Sequence, residues 1–180
     1  MTTYISLLRG INVSGHNLIT MKALCKSYQN LGFSDVITYL QSGNVIFSDR
    51  DRETDVLELD ISHMIKKDFG FEVPVIVLSA GSLSQIINNN PLTDQIDKDL
   101  SFQHVTFLST AFKDFDIRTI ESKKQGGEEV YFVKNAIYLY CPNGYGKTKL
   151  TNNFFETKLK LTATTRNWKT TNELLTIAQQ

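Results

Sequence analysis

Glycine, asparagine and a cationic side chain occur together directly after the first hydrophobic run of the chain, in the loop 9–19. Connections between a strand and a helix usually take about two to six residues, and long ordered loops are disproportionately functional. Gly10 and Gly15 let the backbone turn inward, while Arg9 provides a planar cation suited to carboxylate or phosphate and Asn12 provides an amide. Arg9 therefore either binds an anionic ligand or pairs with an acidic residue of the protein, and the sequence leaves both interpretations open.

Two segments come close to the phosphate-binding P-loop, in which a glycine is followed after four residues by Gly-Lys-Ser or Gly-Lys-Thr. Gly10 and Gly15 have the glycine spacing but lack the lysine that follows. Residues 146–148 have the second half of the motif, but Cys141 replaces its first glycine. The hairpin-rich strand order also differs from a P-loop enzyme, so we do not expect nucleoside triphosphatase activity. A looser anion nest is expected at 143–149, where glycines turn N–H groups inward and a predicted helix start adds its positive end.

A second dense polar segment, residues 164–170, contains hydroxyls, a guanidinium, an amide and the only tryptophan of the chain. In one interpretation, Trp168 anchors the core while Asn167 or Thr170 caps the last helix. In the other, Arg166 and Lys169 bind an anion while Trp168 stacks on a base or a sugar. The two interpretations are compatible with each other.

Tyrosines share one face of the predicted hairpin 130–141. With the turn at 134–135, Tyr131 lies opposite Tyr138 and beside Tyr140. A tyrosine face on a ferredoxin-like sheet could stack single-stranded RNA. The chain has no RNA-recognition consensus and few basic residues near this hairpin, so burial of the tyrosines against the first half of the chain is the preferred explanation.

Four motifs together resemble a known bacterial family, the domain of unknown function 1697. They are the segments 7–13, 38–47, 142–146 and 164–170, so the resemblance extends over nearly the whole chain. The family has no established activity, and the resemblance therefore implies a cytoplasmic α+β protein without assigning a reaction. Relatives usually show a second glycine where this chain has Ser14.

Apolar residues recur with the periods of strands and helices in the order strand, helix, strand, strand, helix, strand, and this order then repeats. The order is that of the ferredoxin-like βαββαβ arrangement, an antiparallel sheet with two helices on one face. We therefore expect an α+β fold of two such units, residues 1–88 and 99–165, with a linker at 89–98 and a C-terminal helix within 166–180. In the second unit we predict helices at 112–120 and 149–159 and a last strand at 161–165, and we predict the final helix at 173–178.

Composition and charge narrow the functional class. A hydrophobic fraction of 41% and a charged fraction of 21% are typical of a globular protein, and nineteen basic residues balance nineteen acidic ones. After Cys141, basic residues outnumber acidic residues by six to two, so an anionic partner is expected near the C-terminal end. Cys25 and Cys141 are predicted to be free thiols. Because the first residues lack the basic start and apolar segment typical of a signal peptide, and no apolar run approaches the length needed to span a bilayer, we expect neither feature. We expect a cytoplasmic location and no membrane partner.

The sequence does not point to metal or cofactor chemistry, because His16, His63 and His104 lack ligand-like spacing with each other or with the cysteines. It contains no signal for the oligomeric state. We expect a binding protein for a small phosphorylated or nucleotide-like anion, held in a cleft between the two halves. The alternatives are an enzyme in which His16 acts as acid or base beside Arg9, and a non-catalytic interaction or RNA-binding module. The candidate ligand-binding residues are Arg9, Asn12, Ser42, Asn44, Lys147, Arg166 and Asn167. The loops 9–12, 41–44 and 166–168 are predicted to converge.

Overall fold

The computed structural model describes residues 1–113 and 116–180. The chain divides into two compact units, of which unit 1 comprises Met1–Ser84 with Leu174–Gln180 and unit 2 comprises Gln85–Glu173. Each unit contains a four-stranded antiparallel sheet. The fold is therefore α+β with a duplicated ferredoxin-like arrangement, as the sequence predicts.

Unit 1 has the strand order β2-β3-β1-β4, in which every neighbouring pair is antiparallel. Helix α1 begins at the predicted cap Thr20, whose side chain accepts a hydrogen bond from the N–H of Ala23. Helix α2 ends at Gly70, which is left-handed and donates its N–H to Lys66 O. The elements are β1 (Thr2–Leu8), α1 (Met21–Asn30), β2 (Ser34–Tyr39), β3 (Asn44–Asp49), α2 (Thr54–Phe69) and β4 (Val75–Ser79).

An aromatic cluster forms much of the core of unit 1. Phe33 and Phe47 stack with ring centroids 4.4 Å apart, and Tyr28 meets Phe47 edge-on at 5.6 Å. The Tyr28 hydroxyl shares a hydrogen bond of 2.8 Å with Ser6 Oγ, and burial raises the pKa of Tyr28 far above its usual value. These rings fix β3 against α1 and thereby set the position of the turn between β2 and β3.

Unit 2 repeats the strand order of unit 1 as β6-β7-β5-β8. The turn predicted at 134–135 is confirmed, because Val133 pairs with Ala136 and Tyr131 lies opposite Tyr138. The elements are β5 (Gln103–Leu108), α4 (Ile117–Glu121), β6 (Glu129–Val133), β7 (Ala136–Tyr140), α5 (Asn152–Leu159) and β8 (Ala163–Asn167). Two further helices directly follow β4 and β8, namely α3 (Ala80–Asn88) and the C-terminal helix α6 (Trp168–Ala178).

The backbone hydrogen bonds at the ends of β1 and β5 show the duplication at the level of single bonds. In unit 1, Leu8 N–H donates to Gly43 O at 2.8 Å and Arg9 N–H donates to Pro74 O at 2.9 Å. The equivalent bonds of unit 2, both 3.0 Å long, run from Leu108 N–H to Asn135 O and from Ser109 N–H to Thr162 O. The long loop of unit 1 therefore corresponds to the segment that follows β5 in unit 2.

Several predicted boundaries in unit 2 are wrong. The helix predicted at 112–120 is observed only as α4, and residues 114–115 of that prediction lie outside the described residues. Helix α5 begins later than predicted because Thr151 caps it, accepting a hydrogen bond from an N–H of the first turn. Helix α6 begins earlier than predicted because Asn167 caps it in the same way. Strand β8 is shifted from 161–165 to Ala163–Asn167 by its pairing with β5.

The segment 89–98, predicted as a linker, forms turns that pack into unit 2. Asn90 is buried, and its Nδ2 donates to Gln103 Oε1 at 3.2 Å. Leu92 is fully buried, and its N–H donates to Asn90 Oδ1 at 2.9 Å. The segment thereby fixes the approach of the chain to β5.

Candidate functional site

Asn12 holds the long loop of unit 1 in its folded form. Its Nδ2 donates to Ile19 O and to Gln41 O, both at 2.9 Å, and its Oδ1 accepts from Ile19 N at 2.9 Å. Asn12 has a φ of +53°, a left-handed conformation that asparagine adopts more readily than most residues. The amide therefore ties the loop 9–19 to the turn between β2 and β3, and these two predicted loops do converge.

The turn between β2 and β3 is held by Asn44 and closed by Gly43. Asn44 is fully buried, and its Nδ2 donates to a β2 carbonyl oxygen and to Ser42 Oγ, both at 2.9 Å. Gly43 has a φ of +77°, and a Cβ atom at this position would come within 2.6 Å of Leu8 Cβ. The structure thus brings Asn12, Ser42 and Asn44 into one cluster, in which both asparagine amides already have partners within the protein.

Arg9 and His16 occupy different parts of the long loop. Arg9 is half-buried at its start, and its backbone N–H is bonded to Pro74 O. His16 is exposed at its tip, in a tight turn where its N–H donates to Val13 O at 2.9 Å. The enzymatic alternative, in which His16 acts as acid or base beside Arg9, stays a prediction.

Lys147 ends a short 3-10 turn, Tyr145–Lys147, that follows Gly144. Gly144 has a φ of +89°, and its N–H donates to Cys141 O at 2.9 Å. Lys147 is exposed. Helix α5, however, starts only at Asn152, so its positive end is not adjacent to Lys147. An anion nest at this turn stays a prediction.

His104 packs against the same turn. Its ring stacks on Tyr145 with centroids 4.8 Å apart, and its Nδ1 lies 3.2 Å from Phe102 O. Burial lowers the pKa of His104, and a neutral ring that donates Nδ1–H to the carbonyl satisfies this contact. His104 therefore has the environment of a structural histidine.

Arg166 and Asn167 are neighbours in β8 but lie on opposite faces of the sheet, because successive residues of a strand alternate. Arg166 is buried, and its Nη1 donates to Thr164 Oγ1 at 2.8 Å and to Thr165 O at 2.9 Å. Asn167 is exposed at the strand end. The guanidinium predicted to bind an anion is thus engaged within its own strand, whereas the asparagine reaches the surface.

A cavity of about 650 Å³ opens in unit 2 beside the N-terminus of α6, and we call it the Trp168 cavity. One wall comes from the start of α6 and the other from the 3-10 turn Leu100–Phe102. Trp168 is only 7% exposed, so its ring serves as a core anchor as well as a wall. The lining residues are Leu100, Ser101, Asn167, Trp168, Lys169, Asn172 and Glu173.

Local hydrogen bonds fix the α6 wall of the Trp168 cavity. Asn167 Oδ1 accepts from Thr170 N at 2.7 Å, which is the helix cap that the sequence suggests. One turn further, Asn172 Nδ2 donates to Trp168 O at 2.8 Å. The first turn of α6 is therefore rigid, with the Lys169 side chain exposed at the rim.

Four lining residues of this cavity were missed by sequence reasoning: Leu100, Ser101, Asn172 and Glu173. Leu100 and Ser101 lie in a 3-10 turn capped by Asp99, whose carboxylate accepts from Ser101 N at 2.8 Å. No local motif marks them, because their position follows from tertiary pairing. The pairing of His104 with Asn167 brings the start of β5 beside the end of β8.

The tyrosine face of unit 2 is only partly accessible. Tyr138 is 1% exposed, its hydroxyl donates to Ile86 O at 2.7 Å, and burial raises its pKa to about 12. Tyr140 is half-buried, with the Lys98 ammonium 4.7 Å from its ring centroid. Tyr131, also half-buried, donates its hydroxyl to a β6 carboxylate at 2.8 Å. Tyr138 thus belongs to the core, and its ring is not available to stack on a base.

Two further findings concern metals and membranes. In residues 1–113 and 116–180, no three His, Cys, Asp or Glu side chains are grouped so that they could hold a metal ion. Over the same residues, no helix has the length and apolar character required to cross a membrane.

Comparison with known proteins places the chain in a family. The profile of the family described as "Protein of unknown function (DUF1697)" matches residues 1–138. The chain belongs to the DUF1697 family. No curated protein matches it. The solved structure of a conserved bacterial protein from Streptococcus pneumoniae is similar over 98% of both chains, with 26% sequence identity and a TM-score of 0.71.

The DUF1697 match includes the long loop of unit 1 and the turn between β2 and β3, two of the motifs on which the resemblance rests. The other two motifs, at 142–146 and 164–170, lie beyond the matched residues. Helix α6 also lies beyond them, and it supplies most of the Trp168 cavity. Membership of the DUF1697 family therefore does not decide whether the Trp168 cavity binds a ligand.

Proposed function

We propose that this DUF1697 protein is a bacterial, cytoplasmic binding protein for a small phosphorylated or nucleotide-like anion, and that the ligand occupies the Trp168 cavity. The observation that carries the proposal is the cavity itself, with a volume of about 650 Å³, an aromatic wall and several polar groups. Small-molecule sites are typically concavities of about 300–1,000 Å³ with apolar walls and a few polar groups that orient the ligand.

The charged groups of the Trp168 cavity suit different parts of a nucleotide. Lys169 lies in the first turn of α6, where the helix dipole favours an anion. A phosphate fits at this point. The Glu173 carboxylate lies one turn further along the same helix, where it can accept hydrogen bonds from sugar hydroxyls or from a base. Because Glu173 would repel a second phosphate, a monophosphate suits the cavity better than a polyphosphate does.

Asn167 is the one predicted ligand-binding residue that lines the Trp168 cavity. Arg166 is bonded to Thr164 and Thr165 within β8 and is not among the described residues that line this cavity. Within unit 1, the cluster around Asn12 forms a separate candidate region, and the roles of its residues in ligand binding stay predictions. The remaining residues of the predicted set are Arg9, Asn12, Ser42, Asn44 and Lys147.

The cysteines support the proposed cytoplasmic location. Cys25 and Cys141 are both free, and Cys141 is buried. Burial raises the pKa of Cys141 to about 12, so its thiol stays protonated. Free thiols without a disulfide framework are typical of reducing compartments. The similar structure from Streptococcus pneumoniae supports a bacterial source.

The fluorescence of Trp168 tests the proposal, because Trp168 is the only tryptophan of the chain. The protein is titrated with AMP, adenosine and inorganic phosphate. We expect AMP to change the emission saturably and to bind at least about tenfold more tightly than adenosine, a difference of about 1.4 kcal/mol. The Lys169→Gln variant should lose about this factor for AMP.

The matched control is Lys149→Gln, which removes an exposed lysine of the same unit from outside the Trp168 cavity. It should bind AMP as the wild type does. A wild-type protein whose emission does not respond to AMP would contradict the proposal, and so would an equal loss of affinity in the Lys149→Gln and Lys169→Gln variants.

A further inference from the structure

A second pocket of unit 2, with a volume of about 360 Å³, is lined by three lysines, and we call it the lysine pocket. Lys113 reaches it from the segment that follows β5. Lys158 and Lys160 reach it from the end of α5. Of the described residues that line this pocket, none carries a carboxylate; the other lining residues include Thr110, Leu159 and Leu161.

The segment that carries Lys113 is anchored to the body of unit 2. Ser109 N–H donates to Thr162 O at 3.0 Å, and Thr162 N–H donates in return to Ser109 Oγ at 3.2 Å. The ring of Phe112 packs edge-on against Phe132, with centroids 5.4 Å apart. Lys113 therefore projects from an ordered stretch of backbone.

The opposite side of the pocket is fixed by the end of α5. Lys160 adopts a left-handed conformation with a φ of +57°, and its N–H donates to Glu156 O at 2.9 Å. This position usually holds glycine, because the side chains of other residues disfavour a left-handed conformation. The chain thus places a lysine beside the pocket at a position where glycine would be more stable.

The three ammonium groups have no partner within the part of the chain that the structure describes. None of Lys113, Lys158 and Lys160 forms an ion pair or a side-chain hydrogen bond there. The carboxylate of α5, Glu156, is turned toward β8, where its Oε1 accepts from Ala163 N at 3.1 Å. The pocket therefore collects positive charge that the neighbouring described residues do not neutralise.

Compensation of the helix dipole explains only part of this charge. Lysines in the last turn of a helix stabilise its negative end, which suits Lys158 and Lys160. That end, however, is equivalent to only about half a negative charge, against three ammonium groups. Lys113 does not belong to α5 at all. Among the described lining residues, roughly two and a half positive charges remain around one concavity, and their mutual repulsion is relieved when an anion binds.

We propose that the lysine pocket is a second anion site, which binds a compact ligand with two linked phosphate groups. Three separate ammonium groups can contact several phosphate oxygens at once, as point charges on flexible stems. The Thr110 hydroxyl adds a donor, and Leu159 and Leu161 provide apolar walls. This charge pattern differs from that of the Trp168 cavity, where a single lysine is accompanied by Glu173.

The two sites are independent because they lie at opposite ends of the unit 2 sheet. Leu108 pairs with Ala163 beside the lysine pocket, and His104 pairs with Asn167 beside the Trp168 cavity. Four residues along a strand span about 13 Å, so one small ligand does not occupy both sites. The lysine pocket therefore does not depend on the function proposed above.

Inorganic pyrophosphate is the probe for this site, with affinity measured by isothermal titration calorimetry at low and at physiological ionic strength. We expect the wild type to bind pyrophosphate, more weakly at higher salt. In ¹H–¹⁵N NMR spectra, pyrophosphate should shift the amide signals of Lys113 and Lys160 and leave that of Trp168 in place. The triple variant Lys113→Gln, Lys158→Gln, Lys160→Gln should lose at least about tenfold in affinity.

The control triple variant removes the same charge from exposed lysines outside the pocket: Lys22→Gln, Lys26→Gln, Lys123→Gln. It should bind pyrophosphate as the wild type does. Circular dichroism shows whether each variant folds. If the triple pocket variant does not fold, the single change Lys113→Glu, which lies outside α5, must show the loss of affinity for pyrophosphate instead. AMP-induced Trp168 fluorescence should persist in every variant that folds, which separates failure of this proposal from failure of the other.

Three outcomes would overturn the proposal. The first is that the wild type does not bind pyrophosphate. The second is that the control triple variant loses as much affinity as the pocket variant. The third is that the shifted signals map to Asn167 and Trp168. If a single-stranded oligonucleotide binds the lysine pocket and pyrophosphate does not, the pocket is a nucleic-acid site and not a diphosphate site.

Discussion

Replacing Gly43 by alanine tests how tightly the turn between β2 and β3 closes on β1. The φ of +77° costs a non-glycine residue about 1–2 kcal/mol. The new Cβ would also stand 2.6 Å from Leu8 Cβ and 3.0 Å from two Ile11 atoms, and overpacking of this kind costs about 1–3 kcal/mol. We therefore expect the free energy of unfolding to fall by about 2–5 kcal/mol, which lowers the melting temperature by roughly 4–20 °C for a chain of this size.

Gly10→Ala is the matched control, because Gly10 has the same φ of +77° but a Cβ added there would meet no atom within 4 Å. Its free energy of unfolding should fall by about 1–2 kcal/mol, which is the cost of the left-handed conformation alone. Both variants are compared with the wild type by urea denaturation and by calorimetry. Equal losses of stability in the two variants would show that the contact with Leu8 carries no energetic cost and would refute the close approach.

Three other substitutions have definite expected outcomes. Lys160→Gly should raise the free energy of unfolding by about 1 kcal/mol, because glycine adopts the left-handed conformation without strain; a decrease in urea denaturation would contradict this. Asn12→Ala should lower the free energy of unfolding by about 2–3 kcal/mol, because the hydrogen bonds to Ile19 and to the β2–β3 turn are lost. An unchanged midpoint of urea denaturation would show that these bonds do not stabilise the loop. Because burial lowers the pKa of His104, its contribution to stability is present above the unfolded pKa of about 6.5 and is lost as pH falls below it. His104→Phe keeps a ring against Tyr145, and its stability should depend less on pH between about 7 and 5 than that of the wild type; identical pH profiles would contradict the assignment.

The order of elements could be predicted from sequence because each unit repeats the same apolar periods. Local signals were equally effective where one residue decides the structure, as at the Thr20 cap and the turn at 134–135. The sequence does not predict the start of α6, because Lys169 and two threonines follow Trp168 in its first turn and apolar periodicity becomes visible only near Leu174. The Asn167 cap starts this helix, but the sequence offers Thr170 as an equally suitable cap and so does not fix the boundary.

The candidate site was less predictable than the fold. The amide chemistry of Asn12 and Asn44 predicts a role in ligand binding, but the structure uses both amides to close loops. Leu100 and Ser101 give no sequence signal, since only the pairing of β5 with β8 brings them beside Trp168. The sequence does not predict the lysine pocket, because its three lysines come from two separate segments and neither segment is a recognisable motif.

The most direct test of the central claim is a crystal structure of the protein with AMP. We predict ligand density in the Trp168 cavity, with the phosphate within hydrogen-bonding distance of the Lys169 ammonium group or the first N–H groups of α6, and the sugar or base toward Glu173. An empty Trp168 cavity in crystals grown at saturating AMP, or AMP bound elsewhere on the protein, would contradict the account.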